Sequence, residues 1–422
     1  MMWEIIIGWG IFMVQRDLYL KKLEMYAGRE EVKIITGMRR AGKTTIIRQF
    51  IQELENGGIS RENIVYINFE GLIYSYFRDT ASLRGLLIEF LKEAHDRMYF
   101  FFDEMPCIEG WAEVLCEMMN FHNCEFYVIA SNQTILYENF AKDLGYRYVK
   151  IDVYPLTFSE FLEFKKEEQK EEGAKEEEPD LIVLLKEYLR RGGMPGTFSL
   201  EEKTESCVEN YLRDTLSAAL LRDVVQVGKL RDISHIDKIL EFLMSHVGET
   251  FSPKAVKDYV KRQGITISVD TVYSFLDAFI GAGIIGRVKR FDIKDDRELE
   301  TQEKYYMADL AMRNAAMGDE EVPLDAALEN VLYTELLTRG FNVYVGKHGT
   351  SQVDFIARKG DDRTYLNVCA YLLDKETVKE EFGTLTKIRD NYFKMVLSMD
   401  EETKVNKGGI INYPISKFLV QV

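Results

Sequence analysis

The sequence predicts an α/β protein: a parallel sheet with helices on both faces, then a helical middle part, then a second, smaller α/β unit. Three observations carry that prediction. Between Arg16 and Pro155 short apolar runs alternate with helical text; residues 232–290 hold three short amphipathic helical stretches with tight turns; and from Ala326 onward a helix opens a second series of strand-like runs. With 422 residues, 46% of them apolar and 29% charged, the chain has material for several cores and is too apolar to stay disordered.

In the first part the strand candidates are VKIIT, NIVYINFE, MYFFFDE, EFYVIAS and YVKIDVYPL, separated by the helical stretches TTIIRQFIQEL, LRGLLIEFLKEA and AEVLCEMMNFH. Strands that are apolar almost throughout belong in a sheet covered on both faces, where neither side meets water. Residues 16–164 are therefore expected as one core. Ahead of it, residues 1–15 read as an apolar extension preceding a natural start near Met13, because MMWEIIIGWGIFMV carries Glu4, lacks a basic start and is shorter than a spanning helix.

The stretch GMRRAGKTT, residues 37–45, follows VKIIT and opens a helix, and it fits the pattern GxxxxGK[ST]. In that setting the backbone N–H groups of Gly37, Arg39, Arg40, Ala41, Gly42, Lys43, Thr44 and Thr45 can cradle phosphates. The Lys43 ammonium neutralises β- and γ-oxygens and the Thr44 hydroxyl reaches Mg²⁺, so a P-loop NTPase core holding ATP or ADP with Mg²⁺ is expected. Sixty residues beyond Lys43, YFFFDE ends an aromatic strand in Asp103 and Glu104. Asp103 is assigned to the metal with Thr44, and Glu104 to orienting or deprotonating the attacking water. At the end of EFYVIASNQ, Asn132 is the expected γ-phosphate sensor. Arg147 is either an arginine finger toward a second copy or the partner of a local acid; Arg39 and Arg40 either add charge to the phosphate site or lie in solvent.

Residues 165–180, KKEEQKEEGAKEEEPD, hold eight acids and four lysines and are expected as a spacer, either an exposed loop or a solvated helix. In residues 181–231 the pairs Gly192-Gly193 and Pro195-Gly196 interrupt helical text, which suggests a helical lid or connector. Residues 232–300 fit a winged helix-turn-helix with GIIGRVKRF as a two-strand wing, and residues 251–290 carry seven Lys or Arg against three Asp. Double-stranded DNA is thus a candidate partner, with SVDTVYSFLDAF as the reading helix. Residues 301–422 supply the second α/β unit.

Several segments, among them GMRRAGKTT, FFFDEMPCIEGW, VYPLTFSEFLEF, YLRRGGMP, YYMADLAMRNA, LENVLYTELLTRGFNVYVGK and VDFIA, resemble the prokaryotic AAA-type ATPases that carry a C-terminal domain of unknown function. The resemblance covers nearly the whole chain from Arg16. It implies an ATPase core, a winged helix and a C-terminal domain similar to PD-(D/E)xK, or restriction-endonuclease-like, nucleases. It also implies self-association. In such a nuclease Glu329 and Asp354 match the first two metal-holding acids, but Asn367 and Cys369 stand where the third acid and the lysine fall, which argues against cleavage chemistry. The expected function is an ATP-hydrolysing switch; an ATP-gated nuclease or repair enzyme, and a nucleotide-dependent scaffold with little turnover, are the alternatives.

A net charge of −16 excludes broad nonspecific wrapping of nucleic acid. The five cysteines show no CxxC spacing, so neither a disulfide framework nor a zinc ribbon is expected, and Cys107, Cys116, His122 and Cys124 read as packing groups rather than a zinc set. A cytoplasmic protein without a membrane segment is the corresponding expectation.

Overall fold

The computed structural model describes residues 14–71, 79–120, 123–133, 145, 147–171, 180–226, 233–318, 322–402 and 405–421. The extension expected at 1–15 lies outside them except for Val14 and Gln15.

The first sheet has the strands β1 (Val32–Thr36), β2 (Ile64–Asn68), β3 (Met98–Asp103), β4 (Cys124–Ala130) and β5 (Tyr148–Asp152), all parallel in the order β2-β3-β4-β1-β5. Alternation of side chains along each strand serves two cores at once. Ile35, Phe101 and Tyr127 face the helix Lys43–Asn56 through Ile47, Phe50 and Ile51, while Ile34, Phe100, Phe102 and Val128 face the helices Thr80–Glu93 and Trp111–Met118. Aromatic stacking ties β3 to β4 on both sides, with Phe101 to Tyr127 at 4.6 Å and Phe100 to Phe126 at 5.3 Å between centroids. The register pairs Asn68 with Asp103 and Asp103 with Ile129, so the C-terminal ends of these strands form one edge. Ligands of open parallel sheets bind at this edge.

The acidic spacer is more structural than its composition suggests. The helix Phe158–Glu171 runs through its first half, and Glu168 there is buried among Lys165, Arg191 and Lys203 at 2.8, 3.0 and 3.1 Å. Asp180 then caps the helix Leu181–Arg191. The helix Glu205–Ala219, capped by Thr204, continues into a π-helix, Leu220–Gln226.

Beyond it lie the helices Ile233–Ser245, Pro253–Arg262 and Val269–Gly281, with β6 (Thr250–Phe251) between the first two. GIIGRVKRF forms one strand, β7 (Ile285–Asp292), not two; its hairpin partner is β8 (Arg297–Met307). The boundary expected at 300/301 falls inside β8 and is corrected accordingly. The remaining strands are β9 (Asn342–His348), β10 (Ser351–Lys359), β11 (Asp362–Cys369), β12 (Phe393–Ser398), β13 (Asn406–Lys407) and β14 (Ile410–Pro414). Parallel pairing of β7 with β9 joins the hairpin to them in a single sheet, β13-β14-β12-β11-β10-β9-β7-β8-β6. The helix Leu324–Thr338 packs against this sheet, and one continuous apolar cluster runs from Tyr19 through Leu276 and Leu332 to Leu419. Among the described residues, no helix is long and apolar enough to cross a membrane.

Candidate functional site: the phosphate loop and its neighbours

The loop after β1 takes a course only glycine permits at its start. Gly37 has φ 142°, and a Cβ there would lie 2.0 Å from the Val153 carbonyl oxygen. Gly42, at φ 98°, precedes the helix Lys43–Asn56, whose unsatisfied N–H groups open toward the loop. The Lys43 ammonium is buried and donates to the carbonyls of Gly37 at 2.8 Å and Met38 at 3.0 Å, holding the loop closed around itself. Burial lowers its pKa, against the opposing charges of Glu104, Asp103 and Asp223.

Asp103 meets this loop directly. The Thr44 hydroxyl donates to its Oδ2 at 2.8 Å, and Tyr66 from β2 donates to the same atom at 2.8 Å. A hydroxyl and a carboxylate in contact beside a lysine form an oxygen-donor set suited to Mg²⁺. Glu104, next along the chain, has φ 53° and accepts hydrogen bonds from the Ser131 backbone N–H and hydroxyl at the end of β4. Burial raises the pKa of its carboxyl, while Lys43 and Ser131 pull the other way. Asn132, one residue further, is buried and donates its amide to the Asp223 carbonyl at 2.6 Å.

Of the two loop arginines, Arg39 is half-buried and Arg40 is exposed. Arg39 donates two hydrogen bonds to Asp223, Nε to Oδ2 and one terminal nitrogen to Oδ1, each at 3.0 Å, and also contacts Glu70. Although burial opposes it, Asp223, Glu104 and Glu70 together hold the guanidinium above its ordinary pKa. Arg40, at φ 65°, donates to the Thr215 hydroxyl and lies over the Tyr211 ring at 5.2 Å. Arg147 sits at the N-terminal end of β5, across the sheet from the loop, with its guanidinium 3.2 Å from the Cys116 sulfur. Within one chain the fold does not bring it to the site.

A cavity of about 400 Å³ opens on the loop, lined by Arg39, Lys43, Thr44, Asp103 and Glu104 together with Val14, Arg16, Phe164, Pro195 and Tyr211. Arg16 carried no motif signal. Buried, it donates to the Ala41 carbonyl at 2.9 Å and pairs with Glu160 at 2.7 Å, tying the loop to the helix Phe158–Glu171. The GGMPG turn is equally constrained: a Cβ on Gly193 would lie 2.4 Å from the Leu156 carbonyl oxygen and one on Gly196 would meet the Tyr211 hydroxyl at 2.0 Å.

In the C-terminal part Glu329 and Asp354 share a cleft with Asp325 and Glu381. The cation beside Glu329 is Lys304 of β8, at 2.8 Å, with Tyr306 donating to the same oxygen at 2.5 Å. Asn367 is occupied internally, accepting from the Asp354 N–H at 3.2 Å and donating to the Glu381 carbonyl at 2.8 Å. Burial pushes the buried Cys369 thiol up. Among the described residues no group of three or more His, Cys, Asp or Glu is arranged to hold a metal ion, and His122 lies outside them.

A strained glycine loop between strand and helix, with a lysine, a hydroxyl and two strand-end carboxylates around it, defines an AAA-type P-loop ATPase fold. Residues 29–162 match the AAA domain family, and residues 182–322 match a domain of unknown function, DUF8612. An uncharacterized protein of Haemophilus influenzae is 30% identical over 386 residues, covering 92% of this chain and 93% of that one, and this chain belongs to one family with it. An uncharacterized protein of Methanocaldococcus jannaschii is 26% identical over 373 residues, 87% of this chain and 79% of its own. Among solved structures, a Walker-type ATPase of Pyrococcus abyssi shares the fold, with a TM-score of 0.53 and 14% identity over 72% of this chain and 96% of that one.

Proposed function

We propose that the chain binds ATP with Mg²⁺ at the β1 loop, hydrolyses it, and uses the cycle to change how the core and the rest of the molecule are held together. The observation that carries this reading is the direct Thr44–Asp103 contact, with Glu104 next along the chain and held by Ser131 from the adjacent strand end. In it Lys43 leaves the Gly37 and Met38 carbonyls to neutralise phosphate oxygens, and the loop N–H groups turn toward the β-phosphate. Thr44 and Asp103 would hold Mg²⁺, which when bound shields the phosphate charge and polarises the terminal phosphoryl group. Glu104, held by Ser131, orients the attacking water and takes its proton, a role its raised pKa favours. Purified Glu104→Gln should retain nucleotide binding and lose turnover by a factor on the order of 10² to 10³. Equal turnover in both proteins would reject Glu104 in this role.

The three helices with the β7–β8 hairpin support the winged-helix reading, and Lys254, Lys257, Lys261 and Arg262 on Pro253–Arg262 favour double-stranded DNA as a partner. The expected reading helix Val269–Gly281 brings only acids among its charges, so contact would fall on backbone phosphates. Titration of DNA at several salt concentrations tests this, with a steep loss of affinity expected on adding salt. The internal use of Asn367 and the burial of Cys369 support a scaffold role for the C-terminal cleft rather than cleavage.

A further inference from the structure

Two polar groups that follow different strands, Arg39 and the expected sensor Asn132, end on the same distant residue. Arg39 after β1 gives two hydrogen bonds to the Asp223 carboxylate, from Nε and one terminal nitrogen, and Asn132 after β4 gives its amide to the Asp223 backbone carbonyl. Asp223 is 3% exposed. It sits in the π-helix Leu220–Gln226, a helix form that recurs at functional sites because its wider turn displaces groups from the regular ladder. The neighbouring Arg222 donates to Glu70 at 3.1 Å, and Glu70 in turn contacts Arg39. Asp223, Arg39, Glu70 and Arg222 thus alternate in charge across the seam between loop and connector. The π-helix also packs against the helix Val269–Gly281, whose end meets the site again where the Gly281 carbonyl accepts the Gln133 N–H at 2.7 Å.

We propose that Asp223 is a positioning residue that competes with the terminal phosphate of ATP for Arg39, so that the docking of Leu220–Gln226 reports which nucleotide is bound. This inference rests on the reading of the loop as an ATP site. The Nε edge of the Arg39 guanidinium is taken by Asp223 and its other edge by Glu70, so a phosphate gains the Asp223 edge only by displacing that carboxylate. When the γ-phosphate takes Arg39, and Asn132 turns to it, the buried Asp223 carboxylate loses its cation, and a buried charge without a partner is strongly disfavoured. The connector then leaves the loop and carries with it the helices packed on it. ADP, lacking the third phosphate, leaves the Arg39–Asp223 pair in place.

The test compares binding of MgADP and a magnesium complex of a non-hydrolysable ATP analogue to the full chain, wild type and Asp223→Asn, by calorimetry. Asparagine keeps the shape and the backbone carbonyl but gives up the charge. Because a closed competitor lowers apparent affinity by the fraction of time it occupies the site, the variant should bind the ATP analogue about tenfold more tightly, with ADP affinity changed by less than about twofold. A purely structural Asp223 would weaken both nucleotides together. In wild type, amide exchange over residues 205–226 should rise with the ATP analogue and not with ADP, a readout that needs no variant. If wild type binds both nucleotides but exchange is the same with each, or Asp223→Asn gains nothing for the ATP analogue, the competition is wrong and the ATP site stands. If wild type binds neither nucleotide, the ATP site falls and the competition with it.

Discussion

The phosphate-loop site and the C-terminal cleft use similar ingredients to different effect. Both gather carboxylates around one buried lysine. At the loop, Asp103 is held by two hydroxyls, Glu104 by Ser131, and Lys43 rests on backbone carbonyls it can leave, so each group keeps a direction into an open cavity. In the cleft, Lys304 is spent on Glu329 and the remaining acids crowd each other. Burial, with Glu329 nearby, pushes the Asp354 carboxyl up to about 7, and burial with Asp354 pushes Glu381 up to about 8. What separates the two regions is direction: the loop's carboxylates are held pointing at an unfilled position, whereas those of the cleft face one another and a lysine already paired.

The largest separation between the two regions should come from matched carboxylate changes. Asp103→Asn should lower ATP turnover by a factor on the order of 10² to 10³, whereas Glu329→Gln should leave it within about twofold, as a coupled phosphate-release assay would show. An equal loss from both would erase the distinction. Next in size, Gly37→Ala should destabilise the protein by about 3 kcal/mol, since it places a Cβ 2.0 Å from the Val153 oxygen at φ 142°; denaturant unfolding measures it. In the cleft, Lys304→Met should cost about 2 kcal/mol at pH 8 by leaving Glu329 without its cation, again from denaturant midpoints.

The smallest change has the opposite sign. Asp354 lies at about 7 in the fold against an ordinary 3.8, so the folded state binds the proton more tightly than the unfolded chain does. The stability this contributes is fully present below about pH 4 and is lost as pH rises through 7. Asp354→Asn, which removes the charge and retains an acceptor for the Val368 N–H, should therefore stabilise by on the order of 1 kcal/mol at pH 8 and by little at pH 5. A Tm gain equal at both pH values would show that repulsion in the cleft is not the cause.

What the sequence discloses divides along the same line. The five strands of the first sheet stand at their expected places because strands covered on both faces must be apolar at nearly every position, as in Val32–Thr36 and Cys124–Ala130. The loop was legible because phosphate binding demands glycine, lysine and threonine at fixed spacing. β8 was not: its first seven residues, six of them polar, are solvent-facing or half-buried, and only its last four turn inward. Nor were Arg16 and Asp223, whose partners lie 144 and 184 residues away, Glu160 for one and Arg39 for the other. An isolated arginine or aspartate carries no local periodicity, and only the folded chain shows that Arg39 faces a carboxylate rather than solvent. The acidic spacer misled for the related reason that composition does not reveal which single glutamate, Glu168, is buried among cations.

The most direct test of the central claim is equilibrium binding of ATP, with and without Mg²⁺, to wild type and to Lys43→Ala. The loop geometry predicts Mg²⁺-dependent binding by wild type that weakens at least about a hundredfold in the variant, while both proteins unfold cooperatively. Binding of ATP with equal affinity by both, or by neither, would contradict the assignment of the β1 loop as the nucleotide site.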